Sequence, residues 1–286
     1  MDHKVCLITG GNSGIGKAAA IQLAQSGMKV IIACRNEQRG RAALQDIKSS
    51  SDHDLVELLV LDMSSQASIR QAVEMFKSKH SHLDVLIHNA ADFDISRKAP
   101  AYSEDGIETV WATNHIGPVL LTSLLTNELK QSEQGRVIMV ASQGLMLHPY
   151  LNVNVNDPEF KTGRYRVAKA YYQSKLAQVM YTYWLVEHLK DTRVTVNAVR
   201  VTNVKVDISR YPDLTKVMKV LYSMKSRFSI SPEEMAETYT YLALSPEVKE
   251  VTGEYFNEKK KIVSSSRYSK KKRNIEEVME LTMTYM

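Results

Sequence analysis

Cysteine is scarce in this chain: 286 residues carry only two, Cys6 and Cys34. Each lies inside an apolar run that reads as a strand, so the pair lacks the spacing of a disulfide framework and fits a reducing compartment. Long apolar runs are missing too, and no stretch reaches the roughly 18 residues that cross a bilayer. The first strand opens at about Lys4, which leaves no room ahead of it for a signal peptide. A cytoplasmic protein without a membrane span is the expectation. Repeats, linkers and low-complexity stretches are absent before the C-terminal segment, which points to one domain. With 44% hydrophobic and 24% charged residues, the chain can bury a full core. No metal site is expected.

The net charge of +5 is unevenly placed. Lys259, Lys260, Lys261, Arg267, Lys270, Lys271, Lys272 and Arg273 crowd toward the C-terminus and leave the body close to neutral. Such a run can touch nucleic acid or an anionic membrane, but it is more often a solvated, mobile segment. Residues 257–286 are accordingly expected as a basic tail with a short helix, and no nucleic-acid partner is expected.

From the first residues onward, short apolar runs alternate with longer amphipathic ones. Strand-like runs lie at Val5–Ile8, Val30–Ala33, Leu55–Leu61, Val85–Ile87, Val137–Val140 and Val194–Val199. Helical patterns run from about Gly14 to Gln25, from Gln38 to Lys48, and to Lys77 behind Ser65, a plausible N-cap. Near-continuously apolar strands separated by helices indicate an α/β fold: a single-domain, Rossmann-type, doubly wound parallel sheet with helices on both faces. Ligands are expected at the carboxyl ends of its strands. Two long connections break the rhythm at 143–163 and 200–230. The second carries Tyr211, Met218, Leu221, Tyr222, Met224 and Phe228. Connections of this length at the sheet edge are usually binding loops or lids.

Three constellations carry chemistry. The run Thr9-Gly10-Gly11-Asn12-Ser13-Gly14-Ile15-Gly16 sits where the first strand turns into the first helix. Glycines there let a pyrophosphate approach the backbone, and the helix N-terminus faces its charge. Residues 1–256 therefore read as a dinucleotide-binding domain that includes the loop at 200–230. At the end of the second strand NAD would call for a carboxylate. The chain has Cys34-Arg35-Asn36 instead, and an arginine there can clamp a 2′-phosphate, so NADP(H) is favoured over NAD(H). Third, Tyr171 and Lys175 stand one helical turn apart. A phenol normally titrates near pH 10, but a nearby ammonium favours the phenolate and makes it a usable acid-base group. Tyr172, at i−3 from Lys175, satisfies helical geometry as well.

These motifs, with His88-Asn89-Ala90-Ala91 after the fourth strand, Asn114 in Thr-Asn-His-Ile-Gly-Pro and Ser142 after the fifth, resemble the short-chain dehydrogenase/reductase family in order and spacing. The resemblance covers the chain up to about residue 256. Ala33-Cys34-Arg35, Asn114-His115-x-Gly117-Pro118 and Tyr171-x-Gln173-Ser174-Lys175-Leu176-Ala177 are similar to its retinol-dehydrogenase-like branch. The resemblance implies an oxidoreductase that interconverts an alcohol and a ketone or aldehyde. Tyr171, rather than Tyr172, would be the general acid or base. Lys175 would lower its pKa and hold the nicotinamide ribose, Ser142 would bond the substrate oxygen, and Asn114 would anchor a proton-relaying water. Cofactor contacts are implied at Gly10, Asn12, Ser13, Gly14, Ile15, Gly16, Arg35, Asp62, Met63, Asn89 and Ala90, besides Tyr171 and Lys175. The long apolar helix at about Tyr165–Leu189 commonly packs against a second subunit in this family, which implies a homodimer or homotetramer.

Two departures stand out. Ala91 replaces the family's usual glycine, which is tolerable if its φ stays negative. Val201-Thr202 replaces a Pro-Gly pair that shapes the loop over the nicotinamide, so an altered contact is expected there. The apolar residues at 211–228 favour a hydrophobic or mid-sized organic substrate. The alternative is a catalytically weak dinucleotide-binding regulator or scaffold, which the lost Pro-Gly and the basic tail would suit.

Overall fold

The computed structural model describes residues 3–205 and 229–286. Seven parallel strands form one sheet: β1 (Val5–Thr9), β2 (Lys29–Cys34), β3 (Val56–Val60), β4 (Val85–His88), β5 (Arg136–Ser142), β6 (Thr195–Val201) and the two-residue β7 (Tyr255–Phe256). Parallel strands need crossovers that return over a face of the sheet, so both faces are covered and both sets of alternate side chains are apolar. In β1, Val5 and Leu7 enter one core while Cys6 and Ile8 enter the other. Helices α3 (Gln66–Lys77), α5 (Gly117–Gln131) and α6 (Val167–Leu189) close the first core with Phe76, Leu121 and Val179. Helices α1 (Gly14–Gln25), α2 (Glu37–Ser51) and α7 (Pro232–Leu244) close the second with Leu23, Ile47 and Tyr239.

Local signals account for the helix starts. The Ser65 side chain accepts from Ser68 N and Asn36 from Arg39 N, each removing one of the orphan amides of a first turn. Ser231 and Glu234 form a reciprocal capping box at α7. The strand order is β3-β2-β1-β4-β5-β6-β7, so the winding reverses between β1 and β4. The connections leaving these two neighbours diverge, and a crevice opens between their carboxyl ends.

A three-residue helix α4 (Thr109–Trp111) widens into a π-helical turn at Ala112–Ile116 before α5 begins. Gly117 N donates to Ala112 O, five residues back. The next residue, Pro118, has no amide to offer Asn114 O and its ring crowds that carbonyl, which favours the wider turn.

The C-terminal segment differs from the solvated, mobile tail its charge suggested. It folds into α8 (Arg267–Lys270) and α9 (Lys272–Met283), and both pack on α6. All eight of its basic residues are exposed, while Val278, Met279 and Thr282 are buried. The charge run is the wet face of an amphipathic element whose inward stripe has helical spacing. Val278 joins Leu176, Ala177 and Met180 of α6 in one cluster. Much of the apolar surface that pointed to a second subunit is thus covered within the chain: Leu176, Val179, Met180 and Leu185 are all buried. Tyr183 and Trp184 of the same helix stay half-buried.

Leu7 lies at the centre of the sheet, fully buried. Leu7→Ala should cost about 2–5 kcal/mol, read as a lower denaturant midpoint at an unchanged slope of stability against denaturant.

Candidate active site

The crevice at the β1/β4 reversal opens into a cleft of about 1590 Å³. Gly10, Asn12, Ser13, Gly14, Ile15 and Gly16 line one end; Arg35, Asp62 and Met63 the next stretch; Asn89, Ala90, Ser142 and Tyr171 the rest. The fold thus gathers most of the expected site residues around one space. Asn114 and Lys175 are the two that do not line it. Both are buried, at 0% and 1% exposure.

The glycine loop has the shape its motif demands. A Cβ on Gly16 would stand 2.4 Å from Gly10 O, so only glycine lets α1 start this close to the turn. The first turn of α1 carries no acidic residue, and Gly14, Ile15, Gly16 and Lys17 line the cleft. This is a cradle for an anion such as a pyrophosphate. Asn89 ties the end of β4 to the loop, its Nδ2 donating to Thr9 O at 3.0 Å and Gly10 O at 3.3 Å. The buried Tyr239 donates its hydroxyl to Asn89 Oδ1 at 3.3 Å. Beyond β2 the Arg35 side chain is 78% exposed, with Nε 3.8 Å from Asp62 Oδ2. The guanidinium is mostly solvated beside the cleft. The glycine cradle and the lining beyond it fit a dinucleotide. On the next crossover, a Cβ on Gly117 would come within 2.3 Å of Met63 O, so that glycine lets α5 close on the β3 end of the cleft.

Tyr171 and Lys175 project from α6 toward the end of β5. Lys175 Nζ lies 5.8 Å from the centre of the Tyr171 ring and donates to Val140 O at 2.7 Å and Gln178 Oε1 at 2.8 Å. These two acceptors are neutral, and burial holds its pKa down to about 7. Tyr172 also lines the cleft, but its ring leans on His148 at 4.6 Å and crowds Gly144. It belongs to the wall formed by the 3₁₀ turn Gln143–Leu147, whereas Tyr171 stands beside the ammonium. Ser142 Oγ accepts from Gly144 N at 3.1 Å, which leaves its hydrogen to donate. Asn114 occupies the π turn: Oδ1 accepts from Asp92 N at 2.7 Å, and Nδ2 donates to Asp92 O and to Ser174 Oγ at 3.1 and 3.0 Å.

Several neighbours had no sequence signal. Phe93 stacks on Tyr171 with ring centres 4.2 Å apart, and Gln178 receives the Lys175 ammonium. Both departures from the family pattern are accommodated. Ala91 is not among the residues with positive φ, so its methyl carries no backbone strain. Val201 and Thr202 line the cleft, and the Thr202 hydroxyl bonds the Gln143 side chain across the space a glycine would leave open. Of the connection at 200–230, Val204 bridges Ile230. The apolar residues expected from Tyr211 to Phe228 lie outside the described residues.

The depressed Lys175 pKa has a sign that can be measured. The folded protein holds this lysine neutral between about pH 7 and its ordinary value of roughly 10.4, where the unfolded chain still binds the proton. Stability from this group therefore rises with pH through that window, and the burial penalty is greatest below it. Thermal melts of Lys175→Met and the wild type should differ most at about pH 6, in favour of the variant, and converge as pH rises. A difference constant with pH would overturn the assignment.

Comparison with known proteins gives this geometry its context. A family model described as short chain dehydrogenase matches residues 4–154. Human retinol dehydrogenase 13 is 34% identical over 257 residues, covering 89% of this chain and 76% of its own. Mouse retinol dehydrogenase 12 is 35% identical, over 94% of this chain and 82% of its own. The short-chain dehydrogenase TIC 32 A, chloroplastic, of Brassica napus is 35% identical, covering 89% and 80%. Among solved structures, a Shigella flexneri protein titled a short chain dehydrogenase complexed with NADP superposes with a TM-score of 0.67 at 20% identity, covering 91% of this chain and 98% of that one. With its sheet, its glycine cradle and its Tyr171–Lys175 pair in one cleft, the chain belongs to the short-chain dehydrogenase/reductase family of oxidoreductases, in the retinol-dehydrogenase-like branch.

Proposed function

We propose that the protein interconverts an alcohol and a ketone or aldehyde, with NADP(H) as the redox partner and a hydrophobic or mid-sized organic molecule as substrate. The observation that carries this reading is the placing of Tyr171, with Lys175 behind it, in the same cleft as Ser142 and the glycine cradle. The nicotinamide, when bound, supplies or takes up the hydride. The chain supplies orientation and the proton. Ser142 donates to the substrate oxygen and stabilises the charge that develops there. Tyr171 gives its hydroxyl proton to that oxygen in reduction, or takes the proton from the alcohol in oxidation. Lys175 in its charged form favours the phenolate and so keeps Tyr171 competent near neutral pH. Asn114, which bonds the Ser174 side chain next to Lys175 on α6, would hold a water that returns the proton.

The preference for NADP(H) rests on Arg35 and on the lack of a carboxylate at positions 35 and 36. The substrate class rests on the cleft wall, where Phe93, Met146, Leu147 and Tyr172 face the space around Tyr171. The relatives named retinol dehydrogenases support the same class. Free, buried Cys6 and Cys34 support a reducing compartment such as the cytoplasm. No helix among the described residues is long and apolar enough to cross a membrane. A regulator without turnover is the weaker reading, because nothing in mere dinucleotide binding requires Asn114, Ser142, Tyr171 and Lys175 together.

Tyr171→Phe should reduce turnover of any active carbonyl by about a thousandfold or more while leaving NADPH affinity within a few-fold, consistent with loss of a proton donor. Tyr172→Phe should keep most activity; the reverse pattern would exchange their roles. For the coenzyme, fluorescence titration should show NADPH binding tighter than NADH, and Arg35→Ala should weaken NADPH about tenfold, as expected for one lost charge-assisted contact. Tighter NADH binding by the wild type would sink the assignment.

A further inference from the structure

We propose that the C-terminal helix α9 positions the active site: the hydroxyl of Thr282, acting through His115, holds the π turn that presents Asn114. The proposal rests on the role given to Asn114 above. Thr282 and His115 are both fully buried, and Thr282 Oγ1 lies 2.7 Å from His115 Nε2. The same hydroxyl donates its hydrogen to Val278 O at 2.7 Å, so in this bond it accepts and His115 Nε2 carries the proton. Burial holds His115 down to about 3, so the ring is neutral and the bond persists across the working range of pH.

His115 adjoins Asn114 within the five-residue π turn. A π turn is an uncommon and less stable backbone state than the α-helix on either side, so it needs tertiary support to keep its register. The structure supplies that support from the C-terminus at two points. At the centre, Thr282 bonds His115, whose ring also packs on Trp111 at 4.5 Å. At the start, Tyr285 donates to Glu159 Oε1 at 3.0 Å, and Glu159 Oε2 accepts from Glu108 N at 2.8 Å. Glu108 in turn caps the helix leading into the turn by accepting from Trp111 N at 2.9 Å. Gln66 Nε2, which donates to Tyr285 O, fastens the end of the chain to α3. Asn114 reads the result: its bonds to Asp92 and Ser174 hold only while the π turn keeps its register.

Three variants decide the matter: Thr282→Val keeps the shape and removes the acceptor, Thr282→Ser restores it, and Met279→Ala weakens α9 in a different cluster without touching the bond. In steady-state assays with NADPH and an aldehyde the wild type reduces, Thr282→Val should lower kcat at least fivefold, with the NADPH dissociation constant within twofold of wild type. Thr282→Ser and Met279→Ala should both stay within twofold in kcat, even where Met279→Ala lowers the melting temperature more. Hydrogen exchange supplies a readout independent of turnover. The amides of Asp92 and of residues 112–117 should exchange at least fivefold faster in Thr282→Val than in Met279→Ala. A smaller loss of kcat in Thr282→Val, or equal losses in Thr282→Val and Met279→Ala, would overturn the positioning role. A wild type that reduces no carbonyl would instead overturn the proposed function. Exchange would then judge the strut alone, with equal protection in Thr282→Val and wild type refuting it.

Discussion

A buried lysine whose two hydrogen-bond acceptors are neutral oxygens is the constraint around which this site is arranged. Lys175 Nζ is held by the carbonyl of Val140 at the end of β5 and by the side chain of Gln178 one turn along α6. Burial without a carboxylate partner among the described residues makes the ammonium expensive, and that expense brings its pKa into the neutral range. A carboxylate in place of Gln178 would stabilise the charge and leave the lysine permanently protonated. Neutral acceptors leave its charge free to change near neutral pH. The position depends on the sheet, because β5 stays paired with β6 as far as Ser142 while its pairing with β4 stops at Met139, and Val140 is the first residue beyond it.

The rest of the cleft follows from the same edge. The strand order reverses between β1 and β4, so the glycine cradle and Asn89 meet there, while β5 delivers Ser142 beside α6. One side of the space is polar and suited to a dinucleotide. The other is bounded by Phe93, Tyr172 and the turn after β5. Where the family has Pro-Gly, at the junction between these halves, Thr202 reaches the Gln143 side chain.

Much of this was legible in the chain because the signals are local. Apolar runs of strand length, the spacing of Gly10, Gly14 and Gly16, and the cap at Ser65 act over a few residues. The strands β1 to β6 and the helices α1 and α3 appear where those signals put them. The packing of the C-terminal segment is not legible in this way, because eight exposed charges mask an inward stripe of Ile275, Val278, Met279 and Thr282. The stripe has meaning only when α6 is there to receive it. The π turn at Ala112–Ile116 was likewise invisible. Pro118 hints at it, but the choice between a kink, a break and a widened turn depends on what His115 and Asn114 find to bond.

Residue order alone therefore establishes the doubly wound architecture, the glycine loop and two candidate proton donors one turn from a lysine, because periodicity and backbone sterics operate within one element. Packing alone decides which of two adjacent tyrosines stands beside Lys175, that Lys175 is buried among neutral acceptors, and that the C-terminus closes on the helix carrying Asn114. Those outcomes depend on burial and on hydrogen bonds between residues as far apart as His115 and Thr282. Solvation and distance of that kind exist only once the chain has folded.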